Sequence, residues 1–388
     1  MRVLVDLSYI HSTEKLRESV ALYAFRFLKE LDNKDRMNFT LLVTRNMRVA
    51  IGDIVGDGFK YEYFKDLPGL LLKLPYVKGY LRTYNWVRQI RKLDFDVVYL
   101  PFSGSGNSGR VPMRKVITIH DLRPIKGSFP DKSEYVKQVI EKLSIAFKRH
   151  FFKKHVDNAS RIIAISNYVR EDIIKEWPSG KGKILTVYNS VSNISDDSIA
   201  INSLQQLDYI LYVNTLSIYK NVLTLIRAFG RISKDPRYKN LKLVIVGKET
   251  VYWKNDILPE IYSLGIIDKI IHINYAAEGE LAWLYKHATI FVTPSIHEGF
   301  GYTPIEAAIY ECPVISSTSE SLPDVTAGKV KYYEPVTSYE ALSETIKSIL
   351  VSPPDKDELS EISKFFKNRY SPERQIKLII DIISDETK

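Results

Sequence analysis

Residues 290–315 read IFVTPSIHEGFGYTPIEAAIYECPVI, from Ile290 to Ile315. The run opens as a buried strand over Thr289 to Thr293, breaks at Pro294, and passes through a glycine-punctuated loop, Ser295 to Tyr302. A helix is expected to start at Thr303-Pro304, with Thr303 as N-cap, Pro304 at the first helical position and Glu306 at the third. A helix fed by a strand through a Gly-X-Gly loop aims free backbone N–H groups and a positive dipole end at one spot. Two carboxylates, Glu298 and Glu306, flank that spot. Anion donors beside two acids suit a phosphorylated, hydroxyl-rich ligand. Thr303-x-x-Glu306 is equally a capping box, which needs no ligand.

Working outward, strand–helix alternation runs through the whole chain. Val97 to Leu100, Lys115 to Leu122, Arg161 to Ser166 and Ile184 to Val191 read as strands before the midpoint. Tyr209 to Val213, Leu241 to Gly247, Ile270 to Asn274 and Gly328 to Tyr333 read as strands after it. Long helical stretches are expected over 14–31, 70–93, 134–157, 278–287 and 339–383. Such alternation predicts an α/β chain with two doubly wound parallel sheets. The polar, unpatterned run 192–207 is the expected linker. That gives 1–191 as the first domain, 208–370 as the second, and 371–388 as a closing helix.

The 388 residues suit two domains, each large enough for its own core. No apolar run reaches the roughly 18–20 residues of a spanning helix, and Met1 leads directly into a strand. One cysteine, Cys312, excludes an internal disulfide and suits a reducing, cytoplasmic setting. The net charge of +9 is uneven, because residues 1–200 carry 34 Lys+Arg against 22 Asp+Glu. A basic first half suits a polyanionic partner or an anionic membrane surface. No zinc-finger spacing, RNA-binding signature or basic zipper accompanies it, so nucleic acid is not expected. Asp94-Phe95-Asp96 directly precedes a strand, where turn-forming Asp is ordinary, and is not read as a metal site.

Glu298 and Glu306, with Gly299-Phe300-Gly301 following the first, resemble the E-x7-E signature of the retaining glycosyltransferases of family 4, which have the GT-B fold. KVITIHDL ending at His120-Asp121, the RIIAIS-NYVRED segment after Arg161, and YVNTLSIYKN after Tyr209 are similar to further segments of that family. The resemblance implies two Rossmann-like domains facing a cleft, with a final helix returning to the first. It implies transfer of a hexosyl or deoxyhexosyl unit from a nucleotide-diphospho-sugar to a glycan or lipid-linked acceptor in bacterial surface polysaccharide synthesis. No cofactor or metal is expected.

The residue roles carried over are as follows. His120, Lys220 and Glu298 would act at the reaction centre, with Lys220 on the departing diphosphate and Glu298 on the sugar. Glu306 would hold the ribose. Asn214, Thr215, Gly247, Tyr275, Gly299, Phe300, Gly301, Tyr302 and Thr303 would line the donor site. Asp121 and Ser166 are acceptor-side candidates, Asp121 as the orienting partner of His120. The chain departs from the family pattern at Asn214, which stands for a glycine, and at Tyr219, which stands for an arginine. It also lacks the Gly-rich first loop, having HSTEKLRES, and has Glu311 where Gly often closes the helix. Two other readings are a nucleotide-sugar epimerase on the same fold and a non-catalytic partner subunit.

Overall fold

The computed structural model describes residues 1–67, 77–126, 135–191 and 198–385. They form two compact units, residues 1–190 with 372–388, and residues 191–371. In the first unit, seven parallel strands run β1 (Val3–Asp6), β2 (Phe39–Thr44), β3 (Lys60–Phe64), β4 (Val97–Leu100), β5 (Arg114–Ile119), β6 (Arg161–Ala164) and β7 (Ile184–Thr186). Their order is β3-β2-β1-β4-β5-β6-β7. Segments such as VLVD and VVYL are buried at every position, as a parallel sheet covered by helices on both faces requires.

The second unit has six parallel strands: β8 (Tyr209–Val213), β9 (Lys242–Val246), β10 (Ile270–Ile273), β11 (Ile290–Thr293), β12 (Val314–Ser317) and β13 (Lys331–Tyr333). Their order, β10-β9-β8-β11-β12-β13, is that of a dinucleotide-binding Rossmann sheet. The chain reverses direction of progress between β8 and β11, which pair with Ile210 opposite Ile290. Loops leaving the carboxyl ends of two such neighbours diverge and leave a crevice, where ligands of open α/β sheets bind.

Helix Pro372–Ser384 belongs to the first unit although it follows the second in sequence. Its Ile379, Ile382 and Ile383 enter the core that holds Val3, Val5 and Phe27. Gln375 Oε1 accepts from Ser190 Oγ at 2.7 Å. Residues 198–207, assigned above to a linker, belong to the second unit: Leu204 is buried and Ile199 donates to Gly279 O at 2.9 Å. The rest of that expected linker, 192–197, lies outside the described residues, as do 68–76 of the basic stretch before Val77.

Several boundaries moved. The expected helix 14–31 splits into a 3-10 turn, Thr13–Arg17, and a helix, Ser19–Lys29, because Glu18 is extended (φ −70°, ψ 142°). The strand expected over 184–191 ends at Thr186. Asp94 and Asp96 both engage Arg2, through its guanidinium and its backbone N–H, each at 2.6 Å. Among the described residues no helix is long and apolar enough to cross a membrane.

The first unit buries an opposite-charge cluster that its sequence does not announce. Asp6, fully buried at the end of β1, accepts from Ser8 N at 2.9 Å and from Trp86 Nε1 at 2.9 Å. Burial raises its pKa. Lys115, 1% exposed, donates its ammonium to Asn107 O at 2.7 Å and Gly109 O at 3.2 Å. Burial lowers its pKa to about 7, with Asp6 acting in the opposite sense. A lysine with a depressed folded pKa binds fewer protons folded than unfolded between about 7 and 10.5. Stability therefore rises with pH across that window and falls as pH drops through it. Urea unfolding should show the wild type gaining about 2 kcal/mol between pH 7 and pH 9 relative to Lys115→Met. Parallel curves for the two proteins would contradict this account of Lys115.

Candidate active site

The loop after β8 brings Lys220 forward through a 3-10 turn, Ile218–Lys220. The turn closes on Asn221, which is left-handed at φ 57°. Asn221 fixes this geometry from its side chain. Its Nδ2 donates to Pro294 O at 3.0 Å and to Val336 O at 2.9 Å, and its Oδ1 accepts from Thr224 Oγ1 at 2.8 Å. The same loop is pinned to the one after β11 by Ile296 N on Tyr219 O, at 2.8 Å.

Lys220 Nζ reaches Glu298 Oε1 at 2.6 Å, with side-chain exposures of 10% and 12%. Two sheltered charges this close are mutually compensated, whereas either alone would be costly. Asn214 Nδ2 lies 3.4 Å from the same Oε1, and Asn214 Oδ1 accepts from Thr215 N at 2.9 Å. Asn214, where the resemblance expects glycine, thus turns its amide to the carboxylate. Its carbonyl oxygen would be 2.2 Å from a Cβ at Gly247, so position 247 admits only glycine without rearrangement. Gly247 N donates to Ile273 O at 2.9 Å, and Gly247 O meets His272 Nε2 at 2.8 Å.

Helix Tyr302–Ile309 does not start as the Thr-Pro signal predicts. Its N-cap is Gly301 in the left-handed region (φ 89°), without a side-chain cap. Thr303 therefore lies inside the helix, and no Thr303–Glu306 capping box forms. Glu306 Oε2 instead accepts from Tyr285 OH at 3.0 Å. Tyr285 is fully buried, and burial together with the adjacent Glu306 raises its pKa well above that of free tyrosine. The Phe300 ring is buried against Tyr302 and Tyr370, so only its backbone could face a ligand. Tyr302 and Thr303 form the first helical turn, whose N–H groups have no helical acceptor. Glu311 takes the left-handed conformation (φ 62°) at the far end of this element, a position glycine would fill without the cost of about 1–2 kcal/mol.

The second unit thus gathers Asn214, Thr215, Lys220, Gly247, Glu298 and the 299–303 backbone around its β8/β11 switch point. The Tyr275 side chain is 80% exposed. Sequence reading missed Asn221, Glu320 and Ser321. Ser321 Oγ donates to Glu298 O at 2.7 Å, and Glu320 Oε2 accepts from Glu298 N at 2.9 Å. Asn221 adjoins Lys220 in the quoted YKN segment; nothing in SSTSESLPD announces the roles of Glu320 and Ser321.

His120 lies in the first unit, just past β5. Its Nε2 is 2.8 Å from Pro101 O. A carbonyl only accepts, so Nε2 carries the proton and Nδ1 presents a lone pair. Burial lowers the His120 pKa, keeping the ring neutral at physiological pH. Asp121 is not the orienting group; its Oδ1 caps Arg123 N at 3.0 Å. His120 and Asp121 line a cavity of about 480 Å³ with Tyr9, Phe102, Phe151 and Phe152. Ser166 is fully buried and caps helix Asn167–Glu176 through Val169 N at 3.2 Å. Cys312 is buried, and burial raises its thiol pKa. Among the described residues no cluster of three or more His, Cys, Asp or Glu is placed to hold a metal ion.

Residues 195–369 match the model of the group 1 glycosyl transferases, and residues 41–193 match that of Glycosyltransferase Family 4. The O-antigen chain mannosyltransferase RfbU of Salmonella typhimurium is 29% identical over 221 residues, covering 57% of this chain and 57% of the relative. O-antigen chain mannosyltransferase B of Escherichia coli is 28% identical over 179 residues, covering 44% and 46%. The chain thus spans about half the length of the curated relatives it matches. A glycosyltransferase from Rickettsia africae superposes with a TM-score of 0.70 at 16% identity, covering 98% of this chain and 97% of that one. Anabaena HepE in complex with UDP and glucose gives 0.68 at 15%, covering 99% of each. None of these comparisons supports the epimerase or partner-subunit readings. With Rossmann-like sheets in both units, its paired glutamates and both family models matched, the chain belongs to glycosyltransferase family 4 and has the GT-B fold.

Proposed function

We propose that this protein transfers a hexosyl or deoxyhexosyl unit from a nucleoside-diphosphate sugar to a glycan or lipid-linked acceptor, with retention of anomeric configuration, in bacterial surface polysaccharide synthesis. The 2.6 Å Lys220–Glu298 pair beside the Gly-punctuated loop carries the reading. Breaking a sugar–phosphate bond builds negative charge on the leaving oxygen, and a preplaced ammonium with helix-terminal amides lowers that barrier. An arriving diphosphate competes with Glu298 for Lys220, and the released carboxylate orients sugar hydroxyls. Glu306, held by Tyr285, receives the ribose. Attack and departure share one face of the sugar, and the leaving phosphate takes the acceptor proton, so no protein nucleophile is needed. Lys220 and the amides supply the positive charge that a divalent metal otherwise would.

The relatives' mannosyltransferase names favour GDP-mannose as the donor. The acceptor enters at the His120 cavity, whose aromatic walls suit a sugar ring. The basic first unit, with Tyr84 70% exposed and Lys154 over the Tyr80 ring, rests against an anionic membrane face. A thermal-shift screen with UDP-, GDP- and dTDP-sugars tests the donor. One class at about 100 times its dissociation constant should stabilise the fold by roughly 2.7 kcal/mol. No shift with any of them would sink the proposal.

A further inference from the structure

The loop that carries Glu298 is held from behind by a second carboxylate. Glu320 Oε2 accepts from Glu298 N at 2.9 Å, and its Oε1 lies 2.7 Å from His297 Nδ1. The next residue, Ser321, is fully buried, and its Oγ donates to Glu298 O at 2.7 Å and Phe300 O at 3.2 Å. Both faces of the Glu298 peptide are therefore tied to one dipeptide. Lys220 holds the far end of the same side chain. With Asn214 Nδ2 on the same carboxylate, Glu298 is held at both ends, and Glu320 supplies the charge-assisted acceptor among these contacts.

Glu320 also sits at φ 49°, in the left-handed region. Side-chain-bearing residues stay there only where surrounding contacts over-determine the backbone, and such places cluster at functional sites. Its carboxylate is 18% exposed, sheltered enough to keep its hydrogen bonds from exchanging freely with water. If a solvated turn were all that was required here, glycine would meet the backbone geometry with less strain.

We propose that Glu320 is the positioning residue for Glu298, holding the sugar-orienting carboxylate in register with Lys220 without touching the nucleotide. This rests on the reading of Glu298 as the carboxylate that contacts the donor sugar. The consequence is a split. Removing the Glu320 carboxylate weakens recognition of the sugar and slows its transfer, but leaves the nucleoside diphosphate bound as before.

The test uses the full chain with GDP and GDP-mannose, or the UDP and dTDP counterparts if the thermal screen selects one of those. Glu320→Gly deletes the carboxylate while suiting the left-handed backbone, and Glu320→Gln keeps an acceptor for Glu298 N. Binding is read by calorimetry, and donor cleavage by release of nucleoside diphosphate. Glu320→Gly should cleave donor about ten- to hundredfold more slowly, the scale of losing one hydrogen bond to a charged group. It should bind the nucleoside diphosphate within about twofold of wild type. Glu320→Gln should recover most of the lost rate. In a Glu298→Gln background, Glu320→Gly should cost about twofold or less, because a residue acting through another has nothing left to act on. Wild-type turnover with an unaffected Glu320→Gly, equal losses in nucleotide binding and rate, or multiplicative double-mutant effects would each overturn the proposal alone. A wild type that binds none of these nucleotides overturns it together with the functional reading.

Discussion

Lys220→Ala should lower the rate of sugar transfer by about 10²–10³-fold, the loss measured when one preorganised charge or donor at a developing oxyanion is removed. The geometry says why the effect is large. Lys220 is only 8% exposed and its ammonium is already aimed at the mouth of the loop by the Asn221-closed turn. Tyr219 stands where the family resemblance expects a second cation, so less charge remains nearby to compensate. The substitution also leaves Glu298 without its partner, a sheltered anion facing an incoming diphosphate. Substrate affinity and turnover should both fall, and Lys220→Arg should recover only part, since a planar fork does not reproduce a point charge at 2.6 Å from one oxygen. Initial-rate kinetics with the selected donor decides it. A loss below about tenfold would mean that the leaving-group charge is met elsewhere.

Gly247→Ala should destabilise the second unit by about 3 kcal/mol, toward the top of the range for overpacking. The added Cβ would lie 2.2 Å from Asn214 O and 3.3 Å from Leu216 Cγ. A side chain can rotate away from an intruding methyl, but a backbone carbonyl cannot do so without moving its strand end. Asn214 N is bonded to Val246 O at 3.1 Å, and its side chain reaches Glu298, so relief of the clash shifts the site itself. Urea unfolding and nucleotide binding should both suffer, the second even where the first is rescued by lower temperature. An alanine variant with wild-type stability and affinity would show that the β8 and β9 ends are not packed as described.

How much of this was legible in the sequence differs by level. β4 and β8 follow directly from apolar runs, because their local preferences and their tertiary roles coincide. The strand order does not follow from any run; it is seen only in the structure, as β3-β2-β1-β4-β5-β6-β7 and β10-β9-β8-β11-β12-β13. The Glu298–Lys220 meeting depends on that order, since β8 and β11 are far apart in sequence and adjacent only at the switch point. Thr303-Pro304 misled about the helix start. A favourable N-cap signal yielded to Gly301, whose φ of 89° lies in the left-handed region that favours glycine. Ser166 is the buried N-cap that its place before NYVRED signals, and a cap and a ligand contact call for the same hydroxyl. Glu320 could not be found by pattern at all. Its role is set by a contact with Glu298 across 22 residues, and its left-handed backbone is one that sequence alone would have assigned to glycine.

The central claim is that Lys220, beside the loop of Glu298, grips a diphosphate. Calorimetric titration of wild type and Lys220→Ala with the mono- and diphosphate of the selected nucleoside tests it most directly. Wild type should bind the diphosphate at least about tenfold more tightly than the monophosphate, about 1.4 kcal/mol, and Lys220→Ala should lose most of that preference. Equal preference in the two proteins would place the diphosphate somewhere other than Lys220 and contradict the account.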